Sequence, residues 1–448
     1  MNFLCGIRNR FGDFWWWSLI VFLALRSGDI VNAVIGVWIV PGFVVRSELG
    51  AVLPISNLAA FLGTPIFILV VVLQKYLGRY DALGEEGKKK ALLTGFVGFL
   101  VPAVVAIFAG AYLLMPLFFE RVRVGRGSLA LLIVAGAAIG TIQPLFVNAL
   151  QALRKFGMLA FVNFVCAPVR LVVMVATMPF YALSGYMLGQ CSGPVVQILL
   201  SAFSLRKEIV RGRPEPGFWR REWKGMAAYT VKVALFAGSA ALASMVFSLI
   251  VRQRLPEAES AGYYMISRFA EMATYAGATL SSIMFPFAVS AVAKGRDPTT
   301  FLAKTQFGTL VAGALCVAAI AFLGRPLLNG TALWREYAVF SSDMTILATS
   351  LLFGMLATNY FNFEMAADRF GFLWVAVPVN VLQTSFLFAF TGYGYFSGIL
   401  SAEAVEWMRS LRIDTLRNIL LVGLFSNMLL FAGASAAMFL RRRIRHTP

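Results

Sequence analysis

The sequence predicts an all-α polytopic membrane protein of about twelve transmembrane helices in two six-helix halves. Three observations lead there. Of 448 residues, 59% are hydrophobic and 13% charged, with a mean hydropathy of +0.78, whereas soluble domains are ~45–50% apolar and ~25% charged. Apolar runs recur along the whole chain between charged or turn-rich breaks. Lys and Arg crowd into alternate breaks. At ~20 residues per span, twelve spans use roughly 240 residues, so no large soluble domain fits and an ordinary cytosolic enzyme is excluded.

The runs place spans at 14–39, 50–74, 91–118, 128–150, 157–181, 183–204, 226–251, 262–289, 301–323, 338–361, 371–392 and 417–440. The first follows Arg8 and Arg10, opens on Trp15-Trp16-Trp17 as an interfacial belt, and is interrupted by Arg26, Asp29 and Asn32. It lacks a small-residue cleavage site and reads as a retained helix. Pro65, Pro102, Pro144, Pro168, Pro194, Pro286 and Pro378 lie inside spans, where they free carbonyls and bend helices. Gly136-xxx-Gly140 in span four and Gly185-xxx-Gly189-xxx-Gly193 in span six suit close helix packing. Residues 206–225, with Pro214 and Pro216 ahead of Phe218, Trp219 and Trp223, read as a cytoplasmic amphipathic linker between a 1–205 half and a 226–448 half. The connection 393–416 reads as a short amphipathic helix around Val405, Met408 and Leu411.

Orientation follows from the basic residues. One set of connections carries 24 Lys/Arg and the alternate set 11, which places both termini in the cytoplasm. The net charge of +18, including Arg441 to Arg443 and Arg445, is then an orientation signal facing anionic membrane lipids and does not indicate nucleic acid. Four basic residues remain inside spans: Arg26, Arg170, Lys232 and Arg268. The cysteines (Cys5, Cys166, Cys191, Cys316) and the single histidine, His446, supply neither a disulfide framework nor a metal site. Nothing calls for a cofactor.

A faint repeat supports the two halves: Pro41 to Gly50 and Pro256 to Gly262 occupy corresponding places before the second span of each half. The segment Leu255-Pro256-Glu257-Ala258-Glu259-Ser260-Ala261-Gly262-Tyr263-Tyr264, followed by a span ending Met284-Phe285-Pro286-Phe287, resembles polysaccharide and oligosaccharide flippases of the multidrug/oligosaccharidyl-lipid/polysaccharide (MOP) exporter superfamily. Arg26-Ser27-Gly28-Asp29, Leu49-Gly50 and Leu150 to Phe156 add to the likeness. The resemblance implies a MATE-like fold, a bacterial inner-membrane location, alternating access, and a lipid-linked glycan substrate bearing a pyrophosphate.

Arg26 and Arg268 are the sharpest candidates for substrate binding, because an arginine in mid-bilayer is costly and normally faces a wet or protein-lined cavity. Each has an acid three residues later, Asp29 and Glu271, so the pairs serve either as structural locks or as part of a cationic cavity. Arg170 and Lys232 lie nearer span ends, where long stems snorkel. Gln143, Asn148, Asn380 and Gln383 line up at helical spacing for hydrogen bonds to neighbouring helices or to sugar. Asp343 and Glu364 are candidates for a coupling cation. A drug exporter of the same superfamily would favour an acidic cavity, and a membrane-embedded glycosyltransferase or ligase would need catalytic carboxylates or a large outer loop. The basic excess favours an anionic substrate.

Overall fold

Hydrocarbon offers a backbone no water to bond, so helix is the form that satisfies its polar groups within each segment. The computed structural model describes residues 2–44, 52–122, 128–210, 213–330, 334–391, 401–410 and 415–446, and nearly all are helical. In chain order, α1 (Asn2–Val34) continues through a π-helical turn (Ile35–Ile39) and a short turn (Val40–Phe43). Then come α2 (Val52–Leu83), α3 (Glu86–Val122), α4 (Ser128–Ala152), α5 (Phe156–Val210) and α6 (Phe218–Arg254). Next is α7 (Glu257–Ala270), which runs through a 3-10 turn (Glu271–Thr274) into α8 (Tyr275–Ala293). After α9 (Thr299–Asn329), a 3-10 turn (Arg335–Phe340) leads into α10 (Ser341–Ala366), followed by α11 (Leu373–Thr391), α12 (Ala402–Ser410) and α13 (Leu416–His446).

Among the described residues, seven helices are long and apolar enough to cross a membrane, and the pair Val52–Leu58 and Gly63–Leu83, bent by 54°, makes an eighth. That bend lies just before Pro65, whose ring displaces the carbonyl one turn earlier. The expected spans five and six share the single stretch α5, which reverses at Ala182, where φ is +41°. The two arms then run antiparallel. Thr177 Oγ1 donates to the Gly185 carbonyl at 3.0 Å, and Gln197 Nε2 donates to Asn163 Oδ1 at 2.9 Å. A Cβ at Gly185 would lie 2.7 Å from the Thr177 carbonyl carbon, so glycine alone lets the arms close.

The linker is shorter than its composition suggests. Helix α5 continues to Val210 and α6 begins at Phe218 after Gly217, whose φ is +69°. The aromatic part of 206–225 therefore opens α6, with Phe218 turned inward and Trp219 and Trp223 still exposed. The physical reason is inward packing: Phe218 is buried edge-on against Tyr80 at 5.8 Å, and the Trp219 ring lies over Gly95. The amphipathic helix expected around Val405 is α12, while Leu411 lies outside the described residues.

Helix α1 packs on α5 and α8, α2 packs on α4, α6 and α8, and α10 packs on α9 and α13. Two buried clusters result. One joins Leu73, Tyr80, Phe156, Phe218, Phe285 and Phe361 near the Lys/Arg-rich ends of the helices. The other joins Met178, Tyr186, Tyr264, Phe269 and Trp334 toward the opposite ends. Gly140, expected in a packing stripe, has nothing within 4 Å of a built Cβ and lines a cavity instead. Gly185→Ala should therefore cost about 1–3 kcal/mol, because backbone cannot yield, whereas Gly140→Ala should leave stability unchanged. Thermal unfolding in detergent micelles checks both, and equal melting temperatures for the two variants would contradict the hairpin packing.

Candidate functional site

The cavity that gathers mid-span charge, about 340 Å³ in volume, lies where α1, α2, α5, α7 and α8 meet. Arg170 and Arg268 both line it, with Glu271, Tyr186, Gln190, Tyr264 and Tyr275. Arg268 sits in the last turn of α7, and Glu271 opens the 3-10 turn. The tighter 3-10 winding brings positions three apart nearly into line, and Arg268 Nη1 meets Glu271 Oε2 at 3.2 Å. The guanidinium also lies 5.2 Å from the Tyr264 ring centre.

The opposite wall makes room for that side chain. Gly36 lies in the π-helical turn that ends α1, and a Cβ there would approach Arg268 Cδ to 3.1 Å. The Gly36 carbonyl accepts a hydrogen bond from the Tyr264 hydroxyl at 3.2 Å, tying α1 to α7. Arg170, on the first arm of α5, donates through Nη1 to Gln190 Oε1 on the second arm at 3.2 Å. Arg26 donates to Thr279 Oγ1 at 3.2 Å, and its guanidinium stacks 4.4 Å from the Tyr275 ring centre. Tyr275 thus has Arg26 behind it and the cavity before it. Among the described residues, the Nε–H groups of Arg170 and Arg268 are buried and have no hydrogen-bond acceptor. A buried donor without an acceptor is costly, and two of them in one cavity mark a place that an anion would complete.

Of the residues singled out in the sequence, the structure gathers Arg170, Arg268 and Glu271 in this cavity and sets Arg26 behind its wall. The Asp29 side chain lies outside the described residues. Lys232 is elsewhere: it is exposed on α6, with Nζ 5.1 Å from the Phe370 ring centre. Gln143 donates to Gln197, and Asn148 turns back to the Pro144 carbonyl, so both serve helix contacts. Asn380, which donates to Ser239, and Gln383 line a second cavity of about 440 Å³ together with Ser350, Tyr263 and Asn427. Asp343 and Glu364 are both buried, toward opposite ends of α10. At 1.5 Å per residue they stand roughly 30 Å apart, too far to share one cation. Among the described residues no three His, Cys, Asp or Glu side chains come together as metal ligands.

Sequence reasoning missed Gly36, Tyr186, Gln190, Tyr264 and Tyr275 as cavity residues, since nothing in their spacing distinguishes them from residues that face lipid or other helices. It also missed Lys75. That lysine is counted among the orientation charges, yet its side chain is 7% exposed and its Nζ meets Asp368 Oδ1 at 3.0 Å. Nζ also lies 3.8 Å from the Tyr229 ring centre, and the Tyr229 hydroxyl donates to the Met365 carbonyl. This cluster joins α2 to α6 and to the turn after α10, at the Lys/Arg-rich ends of the helices.

No protein-family model and no curated protein matches the sequence. Solved structures do match. The chain superposes on an aspartate-to-asparagine mutant of the Vibrio cholerae MATE transporter VcmN with a TM-score of 0.71 at 14% identity, covering 99% of this chain and 98% of that one. It matches a MATE protein in the straight conformation with a TM-score of 0.68 at 14% identity, over 97% and 96% of the two chains. An outward-facing multidrug resistance MATE family transporter of the MOP superfamily gives 0.66 at 13% identity, over 99% of each chain. The chain therefore has a MATE fold along essentially its whole length.

The Lys75 cluster generates an asymmetric expectation. Removing Asp368, which is 61% exposed, strands a buried ammonium, whereas removing Lys75 leaves only a solvated carboxylate. Asp368→Asn, which suits the positive φ of +59° at that turn, should destabilise the protein by about 1–3 kcal/mol. Lys75→Met should cost less than half as much. Thermal unfolding of the two variants checks the order, and a reversed order would show that Lys75 is not held as a buried cation.

Proposed function

We propose that the chain is a membrane transporter that moves an isoprenoid-pyrophosphate-linked oligosaccharide across a bacterial cytoplasmic membrane by alternating access. The observation that carries this reading is the convergence of Arg170 and Arg268 in one cavity with unused Nε–H donors, with Arg26 behind Tyr275. Guanidinium forks match phosphate oxygens bidentately, and the match is stronger away from water. On this reading the pyrophosphate draws the Arg268 fork from Glu271, while Gln190 holds Arg170 in position. The isoprenoid chain stays in lipid.

The likeness to MATE transporters supports two rocking halves, 1–205 and 226–448, around the cavity. Contacts between the expected halves at the Lys/Arg-rich ends, including Lys75 with Asp368 and Gln151 with the Ser282 carbonyl, support a state closed on that side. With both termini cytoplasmic, as the Lys/Arg bias favours, the closed side is the cytoplasmic one. A second reading, export of an apolar drug, is favoured by the cavity of about 440 Å³ that holds Asn380 and Gln383, whose lining is aromatic and lacks the acid that a cationic drug would call for. Its lining includes Phe236, Phe247, Tyr263 and Phe361 and has no charged residue. Asp343 and Glu364 remain separate candidates for a coupling cation.

Purified protein in liposomes carrying a fluorescent pyrophosphate-linked isoprenoid should move the label between leaflets, read by accessibility to an impermeant quencher. Arg170→Gln and Arg268→Gln should each lower the rate roughly tenfold or more, the worth of one charge-assisted hydrogen bond. Exchanging the pair, Arg268→Glu with Glu271→Arg, moves the fork ~4.5 Å along the helix and should abolish movement at normal membrane abundance. Wild-type rates in the exchanged protein would leave Arg268 and Glu271 as a structural lock, and export of an uncharged aromatic dye without lipid movement would favour the second reading.

A further inference from the structure

A separate cavity of about 460 Å³ lies at the Lys/Arg-rich end of the bundle, between the start of α3, the α4–α5 turn and the end of α5. Lys89, Lys90, Lys207 and Arg213 line it, against two carboxylates, Glu86 and Glu208. Both carboxylates are already engaged: Glu86 meets Lys89 Nζ at 2.6 Å, and Glu208 pairs with Lys155, which is outside the lining. Lys89 is held a second time by Asp81 at 3.0 Å and is 9% exposed, so this cation is built into the wall. Lys207 and Arg213 are exposed and, among the described residues, make no ion pair.

The cavity is also shaped by backbone. The Glu215 N–H donates to the Gly87 carbonyl at 3.1 Å, and Glu215 accepts from Arg221 at 2.6 Å, which holds the connection bearing Arg213 against α3. The first turn of α3 begins at Glu86, and its Glu86 and Lys89 N–H groups donate to the Gly84 and Glu85 carbonyls, so the backbone holds this wall while the side chains face the cavity. Leu93 and Leu153 supply an apolar floor. A flat basic surface attracts anions without selecting among them, whereas a concave one with buried and exposed cations surrounds a tetrahedral oxyanion on several sides.

We infer that this cavity binds a phosphate group, presented as the headgroup of an anionic phospholipid, with Lys207 and Arg213 closing over it. Basic pockets between helices on the cytoplasmic side are suited to such headgroups. The inference is independent of what the cavity of Arg170 and Arg268 transports. Occupancy would fasten the connection before α6 to the ends of α3 and α5.

The test uses the full-length protein in detergent, with native mass spectrometry counting bound phosphatidylglycerol against phosphatidylcholine, and a parallel titration with inorganic phosphate. The wild type should retain phosphatidylglycerol preferentially. In the double variant Lys207→Gln with Arg213→Gln that preference should fall about fivefold per charge removed. The control pair Arg220→Gln with Lys224→Gln, equally exposed but outside the lining, should keep it. Displacement of the lipid by millimolar phosphate would support the same phosphate site with a soluble source, and failure to displace would support the lipid headgroup. Equal losses in the two pairs, or none in the first, would overturn the site.

Discussion

Placing a guanidinium inside an apolar helical bundle is the constraint around which this molecule is organised. An unpartnered arginine in that setting costs several kcal/mol, and the chain meets the demand with groups from α5, α8 and the 3-10 turn between α7 and α8. Glu271 answers Arg268, Gln190 answers Arg170, and Thr279 and the Tyr275 ring answer Arg26. Two local departures from α-helix serve the same end. The π-helical turn at Ile35–Ile39 presents the Gly36 carbonyl and bare Cα to the cavity, and the 3-10 turn at Glu271–Thr274 brings Glu271 under Arg268.

Helix α5 shows how packing delivers one of these arginines. Its reversal at Ala182 and the bare backbone of Gly185 press the two arms together, so Gln190 returns beside Arg170. A residue twenty positions away in sequence thereby becomes the acceptor that keeps a charge inside the bundle. Backbone close approach and site electrostatics are here one structural fact.

The Lys/Arg-rich end uses charge differently. Lys75 lies between Tyr229 and Asp368, so a cation that reads as an orientation signal instead joins α2 to α6 and to the turn after α10. On the same side the aromatic cluster of Tyr76, Tyr80, Phe218 and Tyr229 fills the space between α2 and α6.

Composition and periodicity are local properties, and they suffice for the helical, membrane-spanning character of the chain; the MATE-like fold is implied by the family resemblance and is shown by the superpositions. They also expose Arg26, Arg170, Lys232 and Arg268, because a charge within an apolar run stands out without reference to anything distant. Their fates diverge for reasons that no local pattern holds. Arg170 turns inward because α5 folds back on itself, while Lys232, with the same signature, faces outward beside Phe370. Lys75 is buried because Tyr229 and Asp368, more than 150 residues away, converge on it. Helical spacing says which residues share a face, and the packing of the other helices chooses which faces meet, since burial of a charge depends on partners that only the assembled bundle brings within a few ångströms.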